Sequence, residues 1–68
     1  MAKRFFEVNI GDRFYDEHNG RMLTVDGVGC DPNCFSCIQE EPTEDGQDLE
    51  VTGRANIMRG ELAKMSRV

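Results

Sequence analysis

The sequence predicts a mainly β protein: a small antiparallel barrel or rolled sheet of four to five strands, closed by a short C-terminal helical segment. Three observations predict it. Apolar residues alternate with polar ones in short runs, the period of a half-buried strand. Turn signals recur about every 8–12 residues, the rhythm of small all-β domains. With 68 residues, of which 15 are Leu, Ile, Val or Phe, the chain suffices for one domain over residues 1–68 and is too short for a Rossmann fold or an eight-unit βα barrel.

The elements follow in order. Phe6, Val8 and Ile10 alternate with Glu7 and Asn9, which predicts a strand near residues 5–10. Gly11-Asp12 breaks it, and Arg13 to Asp16 resumes an extended pattern. Asn19-Gly20 is the strongest short hairpin signal, because both residues tolerate positive φ. A second strand is expected near residues 21–29, with glycines at 27 and 29 that suit a bulge or sharp bend. Asp31-Pro32-Asn33 supplies turn chemistry. A third strand near residues 34–41 is followed by a polar loop containing Pro42 and Gly46, then a fourth strand near residues 48–53 in which Leu49 and Val51 alternate with polar neighbours. Residues 55–66 should contain a helical segment, either a longer helix with Met58, Leu62 and Met65 on one face or a single turn near residues 56–61 before a last short strand. The expected core is Phe6, Val8, Phe14, Leu23, Val25, Phe35, Leu49 and Val51, with Ile57 and Leu62 covering one end.

Charge is unevenly distributed. The net charge is −5. Residues 26–50 carry eight carboxylates and neither Lys nor Arg, whereas residues 51–68 carry Arg54, Arg59, Lys64 and Arg67 against Glu61. A phosphate backbone is bound by a cationic stripe, so the middle third would repel nucleic acid and direct nucleic-acid binding is not the expected activity. No apolar stretch approaches the roughly 20 residues of a spanning helix, and Met1 to Arg4 precede no apolar run of the signal-peptide kind. A cytoplasmic location with no membrane association is expected, which also suits three cysteines in so small a chain.

The residues Phe6-x-Val8-x-Ile10-Gly11-Asp12-Arg13-Phe14, then Asn19-Gly20, then Leu23-Thr24-Val25 resemble the opening of SH3-like barrels of the KOW and Tudor type, as carried by small phage and bacterial accessory proteins. The resemblance spans mainly residues 5–28. It implies a five-stranded barrel with a helical turn before the last strand and leaves function open, since that fold hosts many. Phe5, Phe14, Tyr15 and Phe35 do not make a convincing aromatic cage of the kind used for methylated side chains.

Candidate chemistry is sparse. Cys30, Cys34 and Cys37, with His18 as the lone histidine, have the residue types of a Cys3His zinc site. Positions 34 and 37 point to opposite faces of a regular strand, and free Cys is a common small core residue, so no metal and no cofactor are expected, with zinc binding by these four residues the alternative. His18 reads as a solvated turn residue. A core this small leaves no room for a deep pocket, and no enzymatic activity is expected. The acidic run of Glu40, Glu41, Glu44, Asp45, Asp48 and Glu50 is the candidate partner-binding surface. It suits a small acidic interaction protein whose partner is basic and nucleic-acid-binding. The resemblance in length, acidity and barrel type to phage and mobile-element accessory proteins implies an inhibitor that mimics phosphate charge. The alternative is a zinc-stabilised or KOW-type nucleic-acid-binding module using the basic C-terminal segment.

Overall fold

The computed structural model describes residues 6–29 and 31–68. The described residues form five antiparallel strands and one helical turn: β1 (Arg13–Asp16), β2 (Arg21–Val28), β3 (Cys34–Pro42), β4 (Leu49–Met58), α1 (Arg59–Leu62) and β5 (Ser66–Arg67). One sheet contains all five strands in the order β4-β3-β2-β1-β5. The first four are consecutive hairpin neighbours, and β5 returns to the far edge beside β1, where Phe14 faces Arg67.

Residues opposite one another across a ladder share a face, so the register defines the core. Phe14 faces Leu23, Val25 faces Cys37, and Phe35 faces Ile57. These six side chains and Leu62 of α1 are buried together, and Phe6, Val8, Ala55 and Met65 pack against them half-buried. The helical turn exists to deliver Leu62, which is fully buried.

Two turns use glycine as their geometry requires. Gly20 (φ 62°) completes the β1–β2 hairpin, and Gly46 (φ 71°) sits in the β3–β4 turn; in both the left-handed backbone excludes side chains with a Cβ at low cost. Two bulges bend the sheet. Between Val25 and Gly27, Asp26 has no partner opposite on β3. Between Val51 and Gly53, Thr52 is the extra residue against Gln39 and Glu40.

Three expectations are corrected. Residues 6–10 pair with no strand in the sheet. Their alternation reports burial of Phe6 and Val8, while Ile10 is exposed. Arginine side chains satisfy part of this segment's backbone: Arg59 donates to the Phe6 carbonyl and Arg67 to that of Glu7. Residue 5 lies outside the described residues. Leu49 and Val51, expected in the core, are 44% and 66% exposed, because their half of β4 extends past the end of the core. The fourth strand runs on to Met58 instead of ending at Gly53, since a bulge absorbs the glycine. The tail takes the single-turn form, with α1 followed by turn residues and the two-residue β5.

Candidate functional site: an acidic hairpin

The outer part of the β3–β4 hairpin projects beyond the core, and the molecule is elongated, 48 × 24 × 18 Å. From Leu49 to Arg54 every residue of β4 is exposed. The hairpin therefore has a covered base and an open tip.

Its base is anchored by a chain of polar side chains that continues the core face of the sheet where apolar residues stop. Asp16 is buried at 4% exposure. Its Oδ2 accepts from Asn19 Nδ2 at 2.8 Å and Arg21 Nε at 2.9 Å, and its Oδ1 accepts from the Asn19 backbone N–H at 3.3 Å. Burial pushes the Asp16 carboxyl up, yet the Asn19 and Arg21 hydrogen bonds outweigh it and hold the group below its ordinary range. Arg21 Nη1 donates to Gln39 Oε1 at 2.6 Å. Gln39 Nε2 donates to Thr52 Oγ1 at 3.0 Å and Glu41 Oε1 at 3.1 Å, and the Thr52 hydroxyl donates to Glu41 Oε1 at 2.7 Å. Four strands are thus tied together by side chains whose donors and acceptors alternate, in a network that runs from the buried Asp16 through half-buried Arg21, Gln39 and Glu41 to the exposed Thr52.

The tip is ordered by Thr43. Its backbone N–H donates to the Asp48 carbonyl at 2.9 Å, and its carbonyl accepts from Gly46 at 2.9 Å. Its hydroxyl donates to Asp45 Oδ1 at 2.6 Å, which also accepts from the Gln47 N–H at 3.0 Å. Those two bonds to Thr43 and Gln47 lower the Asp45 pKa, so the carboxylate stays charged.

The six candidate carboxylates divide in three. Glu40 lies half-buried on the outer face of the sheet and pairs with Arg13 at 3.3 Å. Glu41 is half-buried and spent in the polar chain. Glu44, Asp45, Asp48 and Glu50 gather with Thr43 around a concavity of about 650 Å3 at the tip. None of these four takes part in an ion pair among the described residues. Glu50 stands directly opposite Glu41, a like-charge pairing that costs stability.

The basic residues of the C-terminal segment serve other ends. Arg67 pairs with Asp12 at 2.7 Å and lies over the rings of Phe6 and Phe14. The Asn9 N–H and this arginine lower the Asp12 pKa. Arg59 lies over Phe35 and donates to Asn33 Oδ1 at 3.2 Å. Arg54 pairs with Asp26 at 2.6 Å. Lys64 is exposed and 3.6 Å from Glu61.

Of the zinc candidates, Cys30 lies outside the described residues. Cys34 and Cys37 are buried free thiols. Burial, reinforced by Asp26 and Cys34, pushes the Cys37 pKa up to about 11, so Cys37 is a neutral core thiol and not a ready thiolate ligand. His18 is exposed in the β1–β2 turn, beside a groove of about 520 Å3 shared with Tyr15, Glu61, Lys64 and Met65. Among the described residues no three His, Cys, Asp or Glu side chains converge as metal ligands, and no helix is long and apolar enough to cross a membrane.

Asp16, Arg21, Gln39, Thr43 and Thr52 were not signalled as site residues by the sequence. Their partners lie up to 18 positions away, and only strand register brings them together. The local bonds within residues 16–19 and 43–48 do have a signal, since Asp and Thr accept from backbone a few residues on in turns. The chain matches no protein-family model, no curated protein and no solved structure.

Proposed function

We propose that this protein is a non-enzymatic, acidic interaction protein that binds a basic, nucleic-acid-binding protein through the tip of its β3–β4 hairpin. The observation that carries the reading is the group of four carboxylates, Glu44, Asp45, Asp48 and Glu50, held on an ordered turn with no ion-pair partner among the described residues. Stability alone favours opposite charges across a ladder, whereas Glu50 faces Glu41. Such a surface steers toward a Lys/Arg-lined groove, and steering raises association rates about 10- to 1000-fold at low salt. The strand order, with a helical turn before the last strand, supports the SH3-like reading, and the charge pattern supports phosphate mimicry in the cytoplasm by a phage or mobile-element accessory protein acting as an inhibitor.

The test is to isolate the partner from lysate at low salt and measure association kinetics over a salt series. Glu44, Asp48 and Glu50 replaced together by Lys should slow association at least about tenfold at low salt and flatten the salt dependence, since rim charges act on the on-rate. These three are exposed and carry no side-chain bond to the turn, so circular dichroism should be unchanged. An unchanged rate across salt would sink the reading.

A further inference from the structure

β4 is an outermost strand of the sheet, and every residue of its first half, Leu49 to Arg54, is exposed. The ladder shows which backbone groups this stretch leaves over. Hydrogen-bonded and non-hydrogen-bonded pairs alternate along antiparallel strands. The Thr43 N–H donates to the Asp48 carbonyl at 2.9 Å, so Thr43 and Asp48 form a hydrogen-bonded pair at the turn. Pro42 opposite Leu49 is then a non-hydrogen-bonded pair, Glu41 opposite Glu50 a hydrogen-bonded one, and Glu40 opposite Val51 again non-hydrogen-bonded. Pro42 fits its place, since it has no N–H to give. Leu49 and Val51 therefore aim their N–H and C=O groups away from β3, at an edge where no strand stands among the described residues. Natural sheets blunt such edges with Lys, Pro, bulges or very short strands. The opposite edge, β5, has two residues. β4 has ten, with neither Lys nor Pro, and its bulge at Thr52 lies beyond Leu49 to Val51.

Side chains along the same stretch alternate in character. Leu49 and Val51 are large apolar residues, 44% and 66% exposed, on the outer face beside Pro42 and Glu40. Glu50 points to the other face beside Glu41 and has no ion-pair partner among the described residues. We infer that this edge takes up an extended basic segment of the partner protein as an added antiparallel strand. The inference rests on the proposed function for the basic character of the partner, and it names the form in which that partner is recognised. Main-chain bonds to Leu49 and Val51 hold the added strand, and its alternate side chains give specificity. Directly opposed residues share a face, so those opposite Val51 and Leu49 are apolar and those opposite Glu50 and Asp48 are Lys or Arg. Read from its N-terminus, the segment is apolar, basic, apolar, basic. The cation opposite Glu50 occupies a non-hydrogen-bonded pair, the closer of the two kinds, and relieves the row in which Glu50 and Glu41 face each other. A second β4 cannot supply this pattern, because its one basic residue, Arg54, is already paired with Asp26.

The probe is an end-blocked peptide of alternating Val and Lys, titrated against the full chain by NMR with amide exchange. Saturable binding should slow exchange at the Leu49 and Val51 amides at least about tenfold. The alternating peptide should bind at least about tenfold more tightly than one of the same composition with its lysines in a single block, the worth of one or two hydrogen bonds. N-methylation of the peptide's valines removes the donors that face β4 and should weaken binding about tenfold, whereas N-methylation of its lysines, whose N–H groups face away, should not. Val51→Pro removes an outward N–H and no ladder bond, as Pro on an edge strand can. It should keep the circular dichroism and all four tip carboxylates while weakening the peptide about tenfold. If that variant loses its fold, the two methylated peptides decide the matter on the parent chain. Equal binding of alternating and block peptides, equal effects of the two methylations, or no binding of any peptide each overturns the edge strand. So does self-association of the chain through residues 49–51 in place of peptide uptake. The charge reading fails separately, in the salt series with Glu44, Asp48 and Glu50 replaced, which reads the carboxylates and not the backbone edge.

Discussion

Asp16 is a carboxylate that folding buries and must therefore satisfy. It holds Asn19, which shapes the first hairpin turn, and Arg21, which hands on to Gln39. Removing one partner of a buried ion pair leaves the other charge without compensation, which costs far more than the pair itself contributes. Asp16→Ala should destabilise the fold by about 3 kcal/mol in denaturant titration, whereas loss of the exposed Lys64–Glu61 contact should be nearly neutral. Glu40 and Glu41 follow the same logic. Sequence alone marks them as part of one acidic run, but Arg13 and the Gln39–Thr52 pair draw them into the scaffold. The carboxylates left for a partner are those whose side chains find no cation among the described residues.

At the scale of elements, the β3–β4 turn decides whether the tip carboxylates are presented rigidly. Thr43 is its hub, bonding Asp45 by its side chain and Asp48 by its backbone. Thr43→Ala should cost about 1 kcal/mol, the net worth of one such bond. It should raise amide exchange at Gly46 and Gln47 while leaving β1 and β2 unaffected. The hairpin turns were legible in the sequence, because Asn19-Gly20, Asp31-Pro32-Asn33 and the Pro42–Gln47 cluster are local chemistry. The segment before β1 was not. Its alternation of Phe6, Val8 and Ile10 fits a strand, but alternation reports which side chains are covered and not what the backbone bonds to. Here side chains of Arg59 and Arg67, more than 50 residues away, take the place of a neighbouring strand.

For the whole molecule, pH dependence follows from groups whose proton affinity changes on folding. Asp16, Asp12 and Asp45 all have folded pKa values below their ordinary 3.8. The unfolded chain then binds protons more readily than the folded one, so their contribution is present above about pH 4 and is lost as pH falls through the folded values. Cys37 has the opposite sign. Its thiol titrates at about 11 in the fold against an ordinary 9.0, so its contribution is present below pH 9 and is lost as pH rises toward 11. The melting temperature should be flat between these limits, falling on both sides. Cys37→Ala should remove the alkaline fall below pH 11 at the cost of a small core cavity. An alkaline limb identical in that variant would assign it to other groups.

Composition, period-two alternation and turn chemistry determined the β class, the strands after residue 20 to within a few residues of their start, and a core of Phe14, Leu23, Val25 and Phe35. Those features act over a few residues and are written in order along the chain. Tertiary structure decided the rest: that Leu49 and Val51 lie outside the core, that residues 6–10 lie along the sheet without joining it, and that six carboxylates divide into two scaffold groups and four at the tip. Each depends on where one strand ends relative to its neighbour. Register is a relation between distant segments, set when the core packs and the bulges at Asp26 and Thr52 shift the pairing, and no short stretch of sequence contains it.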